Sequence, residues 1–249
     1  MSFTPDYAFA RAHPSPNHGD RLLPVSALVL HYTGMPTSDG ALALLCSPEA
    51  EVSAHYFVQE SGDVLQLVPE SRRAWHAGRS FWAGETDLNS ASIGIEIVHP
   101  GHDDPRPYPA AQMASVIALC ADICARRAIA KDRVLAHSDI AVSRKIDPGE
   151  FFPWDALARA GVGRFVEKAP PHDGDALAPG DAGADVAHLQ RRLAAFGYGA
   201  AETGFYDEAT QKIVAAFQRH FRGSCVDGRA DAQTRAILDA LLAEARLLP

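Results

Sequence analysis

Short apolar runs separated by polar, turn-forming residues fill the chain up to about residue 163. Runs of this kind, bounded by Gly, Pro, Asn, Asp or Ser, predict β-strands. Five segments fit the pattern: Leu28–Tyr32, His55–Gln59, Val64–Val68, Ile93–Val98 and Val134–His137. The tripeptide Ser61-Gly62-Asp63, between the second and third segments, predicts a hairpin turn.

Helical spacing interrupts these strands. From Pro109 to about Ile129 apolar residues recur at steps of three and four, which predicts one long helix, and the opening Pro-Ala-Ala suits a first helical turn. A shorter helix is predicted over Gly40–Cys46, and another after Phe151-Phe152-Pro153-Trp154. Strands and helices mixed in this way predict an α/β fold for this part of the chain.

The pattern changes at residues 167–175, which are polar, contain Pro and Gly, and show no periodicity, as expected of a linker. Three amphipathic segments follow and predict a small all-α, three-helix domain. Their apolar positions are Leu189, Leu193 and Phe196, then Ile213, Val214 and Phe217, then Ile237, Leu238, Leu241 and Leu242. The sequence therefore predicts a first domain over 1–166, a linker over 167–178 and a helical domain over 179–249.

The helical part contains an internal repeat. A glycine-bearing turn, the pattern Asp-x-x-Thr and an apolar helical run occur twice, from Thr203 and from Val226. Asp207 and Asp231 are predicted N-caps, because an aspartate there accepts hydrogen bonds from free N–H groups of the first turn. Repeated caps in a small bundle explain both aspartates without a binding role.

Composition and charge exclude several classes of protein. An apolar fraction of 47% and a charged fraction of 22% are ordinary for a globular chain. The formal net charge of −8 argues against a nucleic-acid partner, since phosphate binding needs clustered Lys and Arg. No stretch approaches the roughly 18 consecutive apolar residues of a membrane span. Residues 1–21 lack an export-signal core, so we expect a cytoplasmic location for the sequence as written, or the periplasm or envelope if a signal was removed.

Three separated residues carry candidate metal chemistry. His31 and His137 each close an apolar run, so each imidazole would project from the end of a rigid strand, and Asp147 follows ten residues after His137. Two imidazoles and one carboxylate match the three protein ligands of a catalytic zinc, which keeps one position open for water. No compact motif such as HExxH is present, and an isolated strand-end histidine is more commonly an ordinary hydrogen-bonded residue.

Glu96 is the first candidate catalytic residue. Strand alternation places it on the face opposite the isoleucines of Ser92–Val98. A carboxylate in so apolar a strand is costly unless it is paired or functional, and partial burial should raise its pKa towards the range useful for proton transfer. Gly94, one pleat away, leaves room for a bulky group. An ordinary exposed strand glutamate is the alternative.

Lys145 is the second candidate. It lies two residues before Asp147, and Pro148 favours an extended backbone for the residue before it. Residues two apart in an extended segment point to the same side, so Lys145 would face the metal site and stabilise an oxyanion. A solvated loop lysine is the alternative.

Candidate substrate-binding residues surround these positions. Trp75-His76-Ala77-Gly78 places an indole and an imidazole before a flexible glycine. Sugar rings and peptide backbones bind against such planar groups, although a buried structural pair fits the same pattern. Tyr32, next to His31, and Asn89 complete the predicted set with Trp75 and His76.

These candidates stand in six ordered segments that cover nearly the whole first domain. The segments are Val29-Leu30-His31-Tyr32-Thr33, Val52-Ser53-Ala54-His55-Tyr56, Arg73-Ala74-Trp75-His76-Ala77-Gly78, Ser92-Ile93-Gly94-Ile95-Glu96, Ala136-His137-Ser138-Asp139-Ile140 and Arg144-Lys145-Ile146-Asp147-Pro148-Gly149. Together they resemble the zinc-dependent N-acetylmuramoyl-L-alanine amidases of the type-2 amidase family. The tail, from Gly183 through Gln218, resembles the small helical peptidoglycan-binding domain.

The resemblance implies a role for each candidate. His31, His137 and Asp147 would hold one Zn²⁺ per chain, Glu96 would be the catalytic acid and base, and Lys145 would stabilise the transition state. The implied fold is a mixed, mostly parallel central sheet flanked by helices. Some relatives carry a tyrosine near the strand of His55, where this chain has Ala54, so proton transfer would rest on Glu96.

The expected reaction is hydrolysis of the amide between N-acetylmuramic acid, or its 1,6-anhydro form, and L-alanine of peptidoglycan stem peptides. Peptidoglycan or muropeptides would be the partners, in cell-wall turnover or recycling. Two alternatives stay open at this point. One is a non-catalytic peptidoglycan-recognition protein on the same fold, and the other is a zinc peptidase that cuts a peptide–peptide bond.

Overall fold

The computed structural model describes residues 3–168 and 175–246. The strands of the described residues are β1 (Ala10–Ala12), β2 (His18–Asp20), β3 (Ala27–Tyr32), β4 (Tyr56–Val58), β5 (Val64–Gln66), β6 (Arg72–Ala74), β7 (Ser92–Ile97) and β8 (Val134–Ala136). The helices are α1 (Ser38–Leu45), α2 (Leu88–Ala91), α3 (Ala110–Arg127), α4 (His137–Ile140), α5 (Trp154–Arg159), α6 (Ala184–Phe196), α7 (Glu208–Phe221) and α8 (Ala232–Arg246).

Six strands form one sheet in the order β1-β5-β4-β7-β3-β8. Neighbouring strands are parallel except β4 and β5, which run antiparallel and are joined by the turn predicted at Ser61-Gly62-Asp63. Strands β2 and β6 form a separate antiparallel pair. The prediction of a mixed, mostly parallel sheet flanked by helices is therefore confirmed.

Strand alternation gives the central sheet two different faces. Leu28 and Leu30 of β3 and the isoleucines of β7 pack with Val116, Leu119 and other apolar residues of α3 in one buried cluster. The alternate residues of the same strands, among them Val29, point to the other face. Both faces are covered, as is usual for parallel strands.

Several predicted strand ends differ from the observed ones by one or two residues, and one of these differences affects a candidate site residue. The sequence places His137 at the end of a strand, but β8 ends at Ala136 and His137 is the first residue of α4. The backbone turns there because Ala136 N donates to Asp139 Oδ2 at 2.8 Å and Ala141 N donates to His137 O at 3.0 Å. The second bond closes a helical turn, so the imidazole projects from a helix N-terminus.

The C-terminal part consists of α6, α7 and α8, as predicted. Both predicted caps are confirmed: Asp207 accepts a hydrogen bond from Thr210 N at 2.8 Å, and Asp231 accepts one from Thr234 N at 2.9 Å. The predicted domain boundaries at 166 and 179 stay predictions, and residues 169–174 of the predicted linker lie outside the described residues.

Two buried glutamines repeat in the same way. Gln190 Oε1 accepts from Thr203 N and Gly204 N, while its Nε2 donates to Thr210 Oγ1 and Phe205 O. Gln218 makes the corresponding four bonds in the second repeat. Each amide thus ties the turn before a helix to the preceding helix, and all its hydrogen-bonding atoms are satisfied.

The two parts of the chain are packed together. One apolar cluster contains Val29 and Leu135 of the sheet, Trp82 of a connecting loop, and Phe196 and Tyr198 of the C-terminal part. Within the described residues no helix has both the length and the hydropathy that crossing a membrane requires.

Candidate metal and active site

The three predicted metal ligands meet at one point. Strands β3 and β8 are parallel neighbours, and their register brings His31 and His137 to the same edge of the sheet. The loop after α4 returns to this edge because Ser138 N donates to Asp147 O at 2.9 Å. The two Nδ1 atoms lie 2.9 Å apart, and Asp147 Oδ2 lies 3.2 Å from His31 Nδ1 and 2.9 Å from His137 Nδ1.

This donor set fits a zinc ion. Zinc–nitrogen and zinc–oxygen bonds of about 2.0–2.1 Å place tetrahedral ligands about 3.3 Å apart. The three atoms form a triangle close to that size, and all three residues are buried. Burial, together with the neighbouring His137, lowers the pKa of His31 to about 4. The imidazole is therefore neutral near pH 7, and the lone pair of its Nδ1 can bind a metal ion. Burial opposes ionisation of Asp147, but the two histidines outweigh it and lower its pKa.

The far side of His31 is held by a chain of hydrogen bonds. Its Nε2 lies 3.0 Å from His76 Nδ1, and His76 Nε2 lies 3.3 Å from Ser92 Oγ, which donates to Leu88 O. With His31 Nδ1 turned to the metal point, this network assigns Nε2–H donors to both imidazoles. Burial lowers the pKa of His76 well below its usual value, which keeps this imidazole neutral as an acceptor requires.

The far side of His137 is held in a similar way. Its Nε2 donates to Ala77 O at 3.2 Å, and the same carbonyl accepts from Arg144 Nη2 at 2.7 Å. Arg144 also donates to Arg79 O at 2.9 Å, which fixes the loop around Ala77. Partners of this kind orient ligand imidazoles and raise metal affinity.

Glu96 lies beside the metal point. In the register of β3 and β7 it is paired with His31, so the two side chains project from adjacent positions on one face. Burial and the charge of Asp147 raise the pKa of Glu96 well above its usual value, while Lys145 acts in the opposite direction. Glu96 Oε2 is buried and has no hydrogen-bond partner among the described residues, so it is available to a reacting group.

A cavity of about 380 Å³ opens over this point. Its polar wall includes Glu96, Lys145 and Asp147, so Lys145 and Asp147 face the same side as the sequence predicts. Three large apolar residues at its wall remain exposed to solvent: Leu44 by 46%, Val52 by 38% and Ile146 by 40%. Exposed apolar surface beside a polar centre is typical of a ligand site.

The four predicted substrate-binding residues differ in position. Tyr32, Trp75 and His76 line the cavity, whereas Asn89 lies behind its wall. Asn89 Oδ1 accepts from His76 N at 2.9 Å and Ala77 N at 2.7 Å, so the amide holds the backbone on which His76 is mounted. Contact of these four residues with substrate stays a prediction.

Sequence reasoning missed several residues that support the site. Arg144 stands in the last matching segment, which is the signal that could have identified it. Ser92 carries the same signal, because it opens the matching segment that ends at Glu96, whereas His102 lies outside all six segments. His102 is a loop residue in the sequence interpretation, yet its Nδ1 lies 3.0 Å from the Tyr32 hydroxyl and its Nε2 lies 3.0 Å from Glu150 Oε2.

Comparison with known families and proteins agrees with this geometry. The N-acetylmuramoyl-L-alanine amidase family model matches residues 21–150, and a peptidoglycan binding domain model matches residues 182–238. N-acetylmuramoyl-L-alanine amidase AmiD of Escherichia coli is 38% identical over 231 residues, which cover 88% of this chain and 82% of AmiD. The 1,6-anhydro-N-acetylmuramyl-L-alanine amidase AmpD of Enterobacter cloacae is 34% identical over 58% of this chain and 86% of its own length.

Solved structures give the same result. E. coli AmiD, in a complex with anhydro-N-acetylmuramic acid-L-Ala-D-gamma-Glu-L-Lys, superposes with a TM-score of 0.74 at 36% identity and 93% coverage of both chains. AMPDH3 of Pseudomonas aeruginosa, in a complex with anhydromuramic pentapeptide, superposes with a TM-score of 0.69 at 33% identity, covering 98% of this chain and 99% of that one. The site geometry and these matches together establish that the chain belongs to the N-acetylmuramoyl-L-alanine amidase family.

Proposed function

We propose that this chain is a zinc-dependent hydrolase of the amide between N-acetylmuramic acid, or its 1,6-anhydro form, and L-alanine of peptidoglycan stem peptides. The observation that carries the proposal is the convergence of His31, His137 and Asp147 on one point at the base of a cavity that also contains Glu96 and Lys145. A non-catalytic receptor would need neither Glu96 nor Lys145.

His31, His137 and Asp147 would hold one zinc ion per chain through two Nδ1 atoms and one carboxylate oxygen. When bound there, zinc supplies Lewis acidity, which lowers the pKa of a water molecule and polarises a carbonyl. His76 and Ala77 keep the two imidazoles in the tautomer that presents Nδ1 to the ion.

Glu96 moves the proton. Its unpartnered Oε2 accepts a proton from the attacking water and returns it to the nitrogen of L-alanine as the carbon–nitrogen bond breaks. A carboxylate in an enclosed wall is suited to this double role, because burial brings its pKa closer to that of the groups with which it exchanges the proton.

Lys145 stabilises charge. It lines the same cavity as Glu96, and from there its ammonium group would stabilise the negative charge that develops on the carbonyl oxygen. The apolar wall formed by Leu44, Val52 and Ile146 provides a surface for the methyl groups and sugar face of a muropeptide. Trp75 adds a planar surface for the same purpose.

The substrate class is supported by the relatives. The AmiD and AMPDH3 structures described above contain muropeptides with an anhydro sugar, and this chain spans nearly the whole of both. We therefore propose that soluble anhydro-muropeptides are accepted, with the C-terminal part offering affinity for intact wall polymer.

The test is digestion of anhydro-N-acetylmuramyl-tripeptide by the zinc-loaded protein, followed by mass spectrometry. The proposal expects two products, a sugar with a free lactyl carboxylate and a peptide with a free L-alanine amino group. A sugar that retains L-alanine would indicate cleavage between amino acids and overturn the proposal. Binding without any product would favour the recognition-protein alternative, and a parallel digest of intact sacculi reveals which substrate form is preferred.

A further inference from the structure

The carboxylate of Asp139 joins the metal-ligand helix to the C-terminal part of the chain. Asp139 lies in α4, two residues after His137, and is 1% exposed. Its Oδ1 accepts from the Tyr198 hydroxyl at 2.6 Å, and its Oδ2 accepts from His220 Nδ1 at 2.7 Å. These donors lie 59 and 81 residues further along the chain.

The same carboxylate also holds the backbone of the metal site. Asp139 Oδ2 accepts from Ala136 N at 2.8 Å, and Ala136 is the residue immediately before His137. Helix α4 is a single turn, so a rotation of the Asp139 side chain would move the peptide from which the His137 imidazole projects. One side chain therefore links the metal ligand to two donors of the C-terminal part.

Both donors are committed to Asp139. His220 Nε2 is buried and has no hydrogen-bond partner among the described residues, so Nδ1–H to Asp139 is the hydrogen bond that its imidazole makes there. Burial and the charge of Asp139 raise the pKa of Tyr198, which keeps its hydroxyl protonated as a donor. A buried carboxylate is tolerated only when it is paired in this way.

Aromatic packing fixes the positions of both donors. The His220 ring stacks on Trp154 of α5 with 3.7 Å between ring centroids, and Tyr198 packs edge-on against Trp82 at 4.9 Å. A Cβ added at Gly197, next to Tyr198, would lie 2.5 Å from Trp82 Cε2. The C-terminal part therefore approaches Trp82 so closely that no side chain fits at position 197.

We infer that Tyr198 and His220 are positioning residues for the metal site, and that the C-terminal part, besides any affinity for the wall, completes the catalytic unit by holding Asp139. A tail that only tethers the enzyme would need no buried polar contact beside a metal ligand. The inference rests on the proposed metal site and does not depend on which muropeptide is the substrate.

The test uses three full-length variants. Tyr198→Phe deletes one hydroxyl that donates to Asp139, and His220→Phe keeps a ring for stacking on Trp154 but removes the donor. Tyr206→Phe is the matched control, because the buried Tyr206 hydroxyl donates to Gly228 O within the C-terminal part. Zinc affinity by chelator competition and the visible spectrum of the Co²⁺-substituted protein report metal geometry without any turnover.

We expect Tyr198→Phe and His220→Phe to bind zinc about tenfold more weakly or worse, within the 10–100-fold range typical of outer partners of metal ligands, and to shift the Co²⁺ spectrum. Tyr206→Phe should match the unmodified protein in both measurements. If Tyr198→Phe binds zinc and absorbs as the control does, the inference is wrong and the contact serves stability alone. Tyr198→Phe decides the question even if His220→Phe does not fold.

The two proposals fail in different ways. If the unmodified protein binds no zinc, the proposed function is wrong. If it binds zinc and cleaves muropeptides while all three variants bind zinc equally, only the positioning role is overturned.

Discussion

Gly94 and His76 are in contact, and the contact exists only because residue 94 has no side chain. A Cβ added at Gly94 would lie 2.4 Å from His76 Cγ and 2.5 Å from its Nδ1, which no real Cβ tolerates. Since His76 Nδ1 accepts from His31, a proposed metal ligand, this glycine influences the orientation of an imidazole that it does not touch.

The first prediction concerns this glycine. Gly94→Ala should displace His76, leave His31 Nε2 without its acceptor and weaken zinc binding about 10–100-fold. Overpacking should also lower the free energy of unfolding by about 1–3 kcal/mol. Chelator competition and urea denaturation measure the two effects. Gly19→Ala is the control, because the nearest atom to a Cβ there is Trp75 Nε1 at 3.9 Å. Equal zinc affinity in both variants would contradict the prediction.

Glu96→Gln should keep zinc and lose activity. The amide is nearly the size of the carboxylate but cannot accept the proton of water, so kcat should fall by about 10²–10⁴. Steady-state kinetics on an anhydro-muropeptide measures the loss of activity, and atomic absorption measures the zinc that is retained. Glu49→Gln, at an exposed position, is the control. Near-full activity of zinc-loaded Glu96→Gln would show that another group moves the proton.

Lys145→Met should reduce kcat by about 10²–10³ and leave KM close to its original value, because the ammonium acts on charge that develops in the transition state. Lys145→Arg should restore part of the loss, since it keeps the charge with a different shape. Lys131→Met, on an exposed turn away from the cavity, is the control. An effect confined to KM would assign Lys145 to substrate binding instead.

Glu70 is fully buried, and we expect it to provide a pH-dependent contribution to stability. Burial by itself raises its pKa, but hydrogen bonds from Arg126, Tyr56 and Arg127 outweigh burial and lower the pKa to about 2. A carboxyl whose pKa is lowered on folding contributes stability above its unfolded pKa and loses that contribution as the pH falls towards its folded value.

Glu70→Gln should therefore lower the free energy of unfolding by about 2 kcal/mol at pH 7, and the difference from the unmodified protein should shrink between pH 5 and about pH 2. Urea denaturation of metal-free protein at several pH values measures this difference without interference from zinc release. Glu60→Gln, at the surface, is the control. A difference that stays constant down to pH 2 would rule out Glu70 as the source.

The sequence alone predicts much of the fold. Periodicity locates β3, β7 and α3 to within a few residues, because the alternation of apolar and polar positions depends on neighbours along the chain. The same alternation places Glu96 on the face opposite the isoleucines of β7. Ordered motifs predict His31, His137 and Asp147 as a metal-ligand set, and the structure brings all three together.

The tertiary structure decides which atoms meet. It brings the Nδ1 atoms of both histidines together at the proposed metal point, makes His137 the first residue of a helix instead of the last of a strand, and places Asn89 behind the cavity wall. These outcomes rest on contacts between residues far apart in the chain, such as His31 with His76 at a separation of 45 and His31 with Asp147 at 116. No local pattern encodes such contacts, since they form only when the sheet register and the loops around it close together.

The role of Asp139 shows the same division most clearly. Within its segment it is a polar residue two places after a predicted metal ligand, and local sequence says no more than that. Two of its donors, Tyr198 after α6 and His220 of α7, come from another part of the chain, so its proposed role follows from how α4 packs against the C-terminal part. The sequence by itself determined the elements and the chemical groups, and the tertiary structure decided their partners, because hydrogen bonds and close packing depend on distances in space rather than along the chain.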